Sequence, residues 1–272
     1  MSRWGYLAGT DEDRAADLNE AIANPDVRGI FTLRGGYGVT RILPLVDYEA
    51  LRRDPKVVIG YSDITALLNA ITRKSRIVTY HGPVATSRFE GFEAEWFRRI
   101  VMEPGPSESR IDVGYATEEQ GRPASPARRT IQSGKATGRL VGGNLSLIAA
   151  CAGTEYGPEF QGSILFLEDV NEAPYKVDRM LSQLWLGGHL TGVRGIFFGD
   201  FRLPPAQPIE GEPPLDPTLT FTMDQVFDNL RAWTKIPMAC GLATGHLPAK
   251  LTLPIGSQVE FDADAQRLTI LN

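Results

Sequence analysis

The stretch Val57-Val-Ile-Gly-Tyr-Ser-Asp-Ile-Thr-Ala-Leu-Leu68 decides how this chain is read. Val57-Val-Ile-Gly60 has the apolar, β-branched make-up of a short buried strand, and from Ile64 onward helical spacing takes over. Only Tyr61-Ser62-Asp63 lies between, so the strand turns directly into a helix. A serine on such a turn points its hydroxyl away from the backbone. The next amide, that of Asp63, stands at a helix N-terminus and can stabilise an oxyanion. This is the arrangement of a nucleophile elbow without the GxSxG spelling. A serine in this position is also an ordinary helix N-cap, and the residues alone leave both roles open.

The same rhythm extends outward on both sides. Thr10 and the acids Asp11, Glu12 and Asp13 open a helix over 10–23 with no strand before it. Gly29–Leu33 is a strand, Arg34-Gly-Gly-Tyr-Gly38 a glycine turn, and Val39–Val46 and Tyr48–Arg53 are helical. Helix Ile64–Thr72, strand Ile77–Tyr80 and helix Glu93–Met102 complete the first part. Apolar strands flanked by helices predict a parallel sheet covered on both faces, hence an α/β fold. Four prolines and scattered arginines follow, so 104–137 is assigned as linker and edge segment between domains 1–103 and 138–272. The second domain reads as strand Gly138–Val141, helix Asn144–Cys151, strand Ser163–Leu167, helix Val177–Leu186 and strand Val193–Phe198. A proline-rich surface loop is expected over 204–217, then helix Thr222–Ala232, strand Met238–Leu242 and three short strands at 251–253, 257–262 and 267–271.

The chain has 272 residues, enough for about two domains and a substantial core. With 28 basic against 33 acidic residues, net −5, and no basic stripe, it lacks the electrostatic footprint of a nucleic-acid binder. Its apolar runs are far shorter than the roughly 20 residues of a bilayer span. Two cysteines without a CxxC and three scattered histidines argue against a disulfide scaffold or a metal centre, so no cofactor is expected. A soluble, cytoplasmic protein is the expectation.

A serine nucleophile needs a base and a group to orient it. His246, in Gly245-His-Leu-Pro248, is held by a constrained loop. His81, in Tyr80-His-Gly-Pro83, has similar surroundings, and the residues do not separate the two. Glu168 and Asp169 end a buried strand, where unpaired carboxylates would be costly. One of them could equally cap the next element while the other is solvated. The turn Arg34–Gly38 should lie beside Ser62, because strand C-termini of a parallel sheet share one edge.

Six motifs in order carry a resemblance. Arg34-Gly-Gly-Tyr-Gly38, Gly60-Tyr-Ser-Asp-Ile-Thr65, His81-Gly-Pro83, Gly142-Gly-Asn-Leu145, Leu167-Glu-Asp-Val170 with Asp178-Arg179, and Gly245-His246 together resemble the LD-carboxypeptidase family of serine peptidases. That family includes murein tetrapeptide carboxypeptidases and microcin C immunity peptidases. The resemblance implies a Ser62–His246–Glu168 triad, an oxyanion hole of the Asp63 and Gly36 amides, and a structural or supporting His81. It implies a Rossmann-like N-terminal domain carrying the serine and a β-rich α/β C-terminal domain carrying acid and base. It further implies a homodimer acting on a cytoplasmic muropeptide, cut between meso-diaminopimelate and terminal D-alanine. Peptidyl-nucleotide conjugates are the alternative substrate, and a catalytically silent ligand-binding module is the alternative without chemistry. Arg34 is the candidate cation for the substrate's free carboxylate. Family members open with a strand–turn–helix unit, roughly a βαβ's first ~30 residues, before the segment matching Tyr6–Asp11. Its absence here predicts an exposed apolar sheet edge, and a sequence that starts at an internal methionine rather than a member that compensates through a partner.

Overall fold

A computed structural model describes residues 3–103, 110–112, 118–119, 122–123, 127–202 and 220–271. The proline-rich loop expected over 204–217 and much of the 104–137 segment lie outside the described residues.

Helix α1 (Asp11–Ala23) is capped by Thr10, whose hydroxyl accepts from the Asp13 amide. Strand β1 (Gly29–Phe31), helices α2 (Val39–Ile42) and α3 (Tyr48–Arg53), strand β2 (Val57–Gly60), helix α4 (Ile64–Ser75) and strand β3 (Thr79–His81) follow in turn. β1, β2 and β3 are parallel neighbours in one sheet, as the alternation predicts. β1 forms its edge, and Phe31 on it is 39% exposed although it packs on Phe89 and Phe97. β3 starts two residues later than expected and ends one later, on His81, which pairs across the sheet with Gly60. Helix α5 (Gly91–Phe97) runs into a π-helical turn, Arg98–Met102.

Strands β4 (Arg110–Asp112), β5 (Glu118–Glu119), β6 (Arg122–Pro123) and β7 (Arg129–Gln132) occupy the intermediate segment. β8 (Lys135–Asn144), helix α6 (Leu145–Cys151), β9 (Ser163–Val170), helix α7 (Pro174–Leu186), β10 (Gly195–Arg202), helix α8 (Met223–Asn229) and β11 (Met238–Cys240) build the second half. The chain ends in β12 (Leu253–Ile255), β13 (Gln258–Asp262) and β14 (Arg267–Leu271). Eight of these strands form one sheet in the order β4-β14-β13-β8-β9-β10-β11-β7, parallel from β8 to β11 and antiparallel outside. β4 and β7, from the expected edge segment, are its two edges. β12 leaves this half and pairs with β3 in the first sheet.

Two apolar layers cover β9. Ile164 and Phe166 face α4 and the first sheet, in one core with Leu68, Ile71 and Leu253. Leu165 and Leu167 face α6 to α8, with Ile148, Leu181 and Phe227. Because side chains alternate along a strand, this parity sends Glu168 toward the first sheet and Asp169 toward α6.

The halves are clamped where α4 crosses β8. The Asn69 amide donates to the Gly142 carbonyl (2.8 Å) and accepts from its N–H (3.3 Å). The Thr65 hydroxyl accepts from the Asn144 N–H at 3.0 Å. Gly142 has φ +134°, and a Cβ there would overlap the Phe166 carbonyl oxygen. Gly142→Ala is therefore expected to destabilise the fold by about 3–5 kcal/mol, the range of severe core lesions. Denaturant unfolding measures it, and a loss under 1 kcal/mol would contradict the close approach.

Candidate active site

The turn after β2 holds Ser62 at φ +63°, in the left-handed region that non-glycine residues rarely adopt. Ser62 is thus not the N-cap of α4: that position is Asp63, and Ser62 sits one residue outside the helix. The strained backbone turns the serine side chain out of the strand direction, as the elbow reading requires. Gly60 permits the turn, since a Cβ on it would meet the Thr32 hydroxyl and, at 2.8 Å, the Ile64 side chain. The glycine turn after β1 arrives as expected. A Cβ on Gly35 would lie 2.8 Å from the Ser62 Cβ and 3.0 Å from its Oγ. Gly35→Ala is expected to displace Ser62 and lower kcat about 10²-fold, the effect of a misplacement near 1 Å. Unchanged kcat in a folded variant would show that the turn tolerates the shift.

Asp63 is buried and its Oδ2 accepts from the Val39 N–H at 3.0 Å, which ties the start of α4 to the end of the glycine turn. Burial pushes its carboxyl above the usual range, with that hydrogen bond opposing. Arg34, Gly36 and Tyr37 are exposed and line, with Leu33 and Asp63, a cleft of about 650 Å³ beside the turn. A second cleft of about 380 Å³ is lined by Tyr61, Arg88, Glu93, Pro248 and Lys250. Lys250 pairs with Glu93 at 3.1 Å and lies over the Tyr61 ring.

Glu168 and Asp169 do not follow β9; they lie inside it, because the strand continues to Val170. Neither is solvated, and neither caps the element that follows. Asp169 accepts from the Asn144 side-chain amide (2.8 Å) and from the Ser146 N–H (2.9 Å) and hydroxyl (2.8 Å), so it anchors the start of α6. Burial raises its carboxyl despite those donors. Glu168 is fully buried, and its Oε2 accepts from His246 Nδ1 at 3.1 Å. Burial acts to raise this carboxyl as well, yet the hydrogen bond from His246 and then the proximity of His81 outweigh it and hold it down at about 2. With Nδ1–H committed to a carboxylate, His246 Nε2 is left as the lone-pair nitrogen, the tautomer a general base needs.

Backbone constraint fixes that imidazole. The Gly241 and Leu242 amides donate to the Phe198 carbonyl, and the Asp200 amide donates to the Thr244 carbonyl. A Cβ on Gly245 would lie 2.8 Å from Glu168 Oε2, so glycine lets the loop close over the acid. Tyr61, next to Ser62 in the chain, packs edge-on against His246 with ring centroids 5.1 Å apart. The imidazole therefore stands beside the serine turn, with its side chain 21% exposed.

His81 comes to the same carboxylate from the opposite side, with Nε2 3.7 Å from Glu168 Oε1. The two histidines that the sequence left unseparated thus share one acid, and His246 is the one with the hydrogen bond and access to solvent. His189 lies elsewhere, against Phe160. Among the described residues no three His, Cys, Asp or Glu side chains gather as a metal site requires. No described helix is long and apolar enough to cross a membrane.

A serine on a strained strand-to-helix turn, whose neighbour Tyr61 packs on an imidazole hydrogen-bonded to a buried carboxylate, fits a serine-type hydrolase. The chain belongs to the LD-carboxypeptidase family, whose N-terminal domain matches residues 1–82 and whose C-terminal domain matches residues 137–261. The probable murein peptide carboxypeptidase of Bacillus subtilis is 35% identical over 95% of this chain and 76% of its own length. The structure of muramoyltetrapeptide carboxypeptidase from Oxalobacter formigenes superposes with a TM-score of 0.80 at 30% identity, covering 99% of this chain and 88% of that one. The Escherichia coli microcin C7 self-immunity protein MccF is 29% identical over 97% of this chain and 80% of its own. An MccF complex with glutamyl sulfamoyl guanosine superposes with a TM-score of 0.82 at 28% identity, covering 100% of this chain and 84% of that one. This chain is accordingly a serine-type carboxypeptidase of that family.

Proposed function

We propose that the protein removes the terminal D-alanine from murein tetrapeptides, hydrolysing its bond to the L-centre of meso-diaminopimelate. The observation that carries the proposal is the pairing of a left-handed Ser62 with the His246–Glu168 hydrogen bond. His246 Nε2 takes the Ser62 hydroxyl proton as Oγ attacks the carbonyl carbon, and Glu168 holds the imidazole and stabilises the imidazolium that forms. The Asp63 and Gly36 amides receive the developing oxyanion, and Arg34, on the rim of the larger cleft, meets the free carboxylate. His246 then returns its proton to the leaving amine, D-alanine departs, and water activated by the same base hydrolyses the acyl-enzyme. The setting is cytoplasmic recycling of wall peptides, and the working unit a homodimer.

Similarity to MccF supports one second reading, cleavage of an aminoacyl-sulfamoyl nucleoside. Both substrates are offered to the purified protein and products followed by mass spectrometry. Release of D-alanine from the tetrapeptide is the expected result; cleavage of the sulfamoyl conjugate alone would replace the first reading with the second. Size-exclusion chromatography with light scattering reads the homodimer, and a monomer would remove that part.

A further inference from the structure

His81 is built more carefully than a filler of the core would need. Its side chain is fully buried at the end of β3, paired in the sheet with Gly60, two residues before Ser62. Phe166 closes one side of the ring (centroids 5.2 Å) and Tyr61 stands edge-on to it (6.3 Å), so its plane is set. A Cβ on Gly143 would meet the Thr65 side chain at 2.6 Å and crowd the His81 Cδ2 at 3.2 Å, so glycine lets β8 lie close against both. The Thr244 hydroxyl lies 3.2 Å from Nδ1.

The remaining nitrogen points at an acid. His81 Nε2 lies 3.7 Å from Glu168 Oε1, and neither atom has another hydrogen-bond partner. That separation exceeds a made hydrogen bond, but both side chains are buried, where leaving a polar atom unpaired is costly. The tautomer follows from the two neighbours. A proton on Nδ1 would leave the Nε2 lone pair facing a carboxylate oxygen; a proton on Nε2 gives an N–H facing that oxygen and lets the Thr244 hydroxyl donate to Nδ1.

We propose that His81 is a positioning residue: its Nε2–H holds Glu168 Oε1, so that Oε2 stays presented to His246, with Thr244 fixing the tautomer. The inference rests on the reading of Glu168 and His246 as acid and base. Without this second contact the carboxylate can rotate about its last bond inside the pocket. The imidazole it orients then loses its alignment to the serine turn.

The test compares two polar replacements. In His81→Gln the side-chain nitrogen takes the place of Nε2 and can still donate to Oε1. In His81→Asn it takes the place of Nδ1 and reaches only toward Thr244. We expect H81Q to keep kcat within about threefold and H81N to lose about 10–10²-fold in kcat with KM little changed, as for a misaligned catalytic group. Thr244→Val, which keeps the shape of the side chain, should lose kcat in the same direction. In ¹⁵N-labelled protein the Nδ1–H proton of His246 should stay sharp in H81Q and exchange-broaden in H81N, a readout that needs no turnover. Equal kcat and equal proton signals in folded H81Q, H81N and T244V would overturn the proposal. A wild-type protein that cleaves neither substrate would overturn the proposed function instead, while the proton signal still decides the role of His81.

Discussion

Ser62→Ala is expected to lower kcat by roughly 10⁶-fold, the loss seen when a serine nucleophile alone is removed. The protein should remain folded, because the residue lies on a turn outside α4 and is only partly buried. Its backbone makes the expectation sharper. At φ +63° a residue with a Cβ carries strain of about 1–2 kcal/mol relative to glycine. Ser62→Gly should therefore be as inactive as the alanine variant, yet up to ~1 kcal/mol more stable than wild type by denaturant unfolding. A site that trades stability for geometry shows this pattern, whereas a serine kept for structure would lose stability on both changes. Residual activity above about 1% in S62A would remove Ser62 from the nucleophile's place.

The strand-to-helix turn was legible because its signal is local: an apolar β-branched run, three turn residues, then helical spacing from Ile64. Two further features were legible in principle. Glu168 and Asp169 read as strand-end acids only if β9 stops at Leu167; continued by its own alternation, the strand sends Glu168 to the Phe166 face and Asp169 to the Leu167 face. The glycines at 142 and 143 likewise announce a close approach, although not that Phe166, Thr65 and His81 are what approaches. Other parts rest on contacts between residues far apart in the chain. Asn69 looks like an interior helix residue, and its bonds to Gly142 span 73 positions. Thr244 meets His81 across 163 positions. The departure of β12 to pair with β3 had no local mark either, since Leu253–Ile255 is an apolar segment that either sheet could take. Periodicity specifies elements and their faces; it does not say which distant face a buried polar group will meet.

Glu168→Gln is the second large effect, and two separate measurements expose it. A glutamine offers one oxygen and one N–H₂ where Glu168 offers two acceptor oxygens, one toward His246 Nδ1 at 3.1 Å and one toward His81 Nε2 at 3.7 Å. If the oxygen faces His246, the amide protons meet His81; if it faces His81, the amide protons force His246 into the tautomer with Nε2 protonated. The second outcome removes the base, and the first keeps it but loses the carboxylate charge that stabilises the imidazolium, so a fall of about 10⁴-fold in kcat is expected, as for an acid-to-amide change in a comparable triad. The pH dependence of stability gives the other measurement. The Glu168 carboxyl is held down from its ordinary 4.5 to about 2 in the folded protein. The folded state thus binds this proton less readily than the unfolded chain, so the carboxylate stabilises the fold fully above pH 4.5 and the contribution is lost as pH falls toward 2. A shift of that size corresponds to about 3 kcal/mol, while the raised carboxyls of Asp63 and Asp169 contribute with the opposite sign. Denaturant melts at pH 5 and pH 2.5 should show a large acid loss in wild type and a clearly smaller one in E168Q. Parallel losses in the two proteins would mean that the His246–Glu168 pair does not hold the carboxylate as the geometry requires, and the acid would then lose its place in the triad.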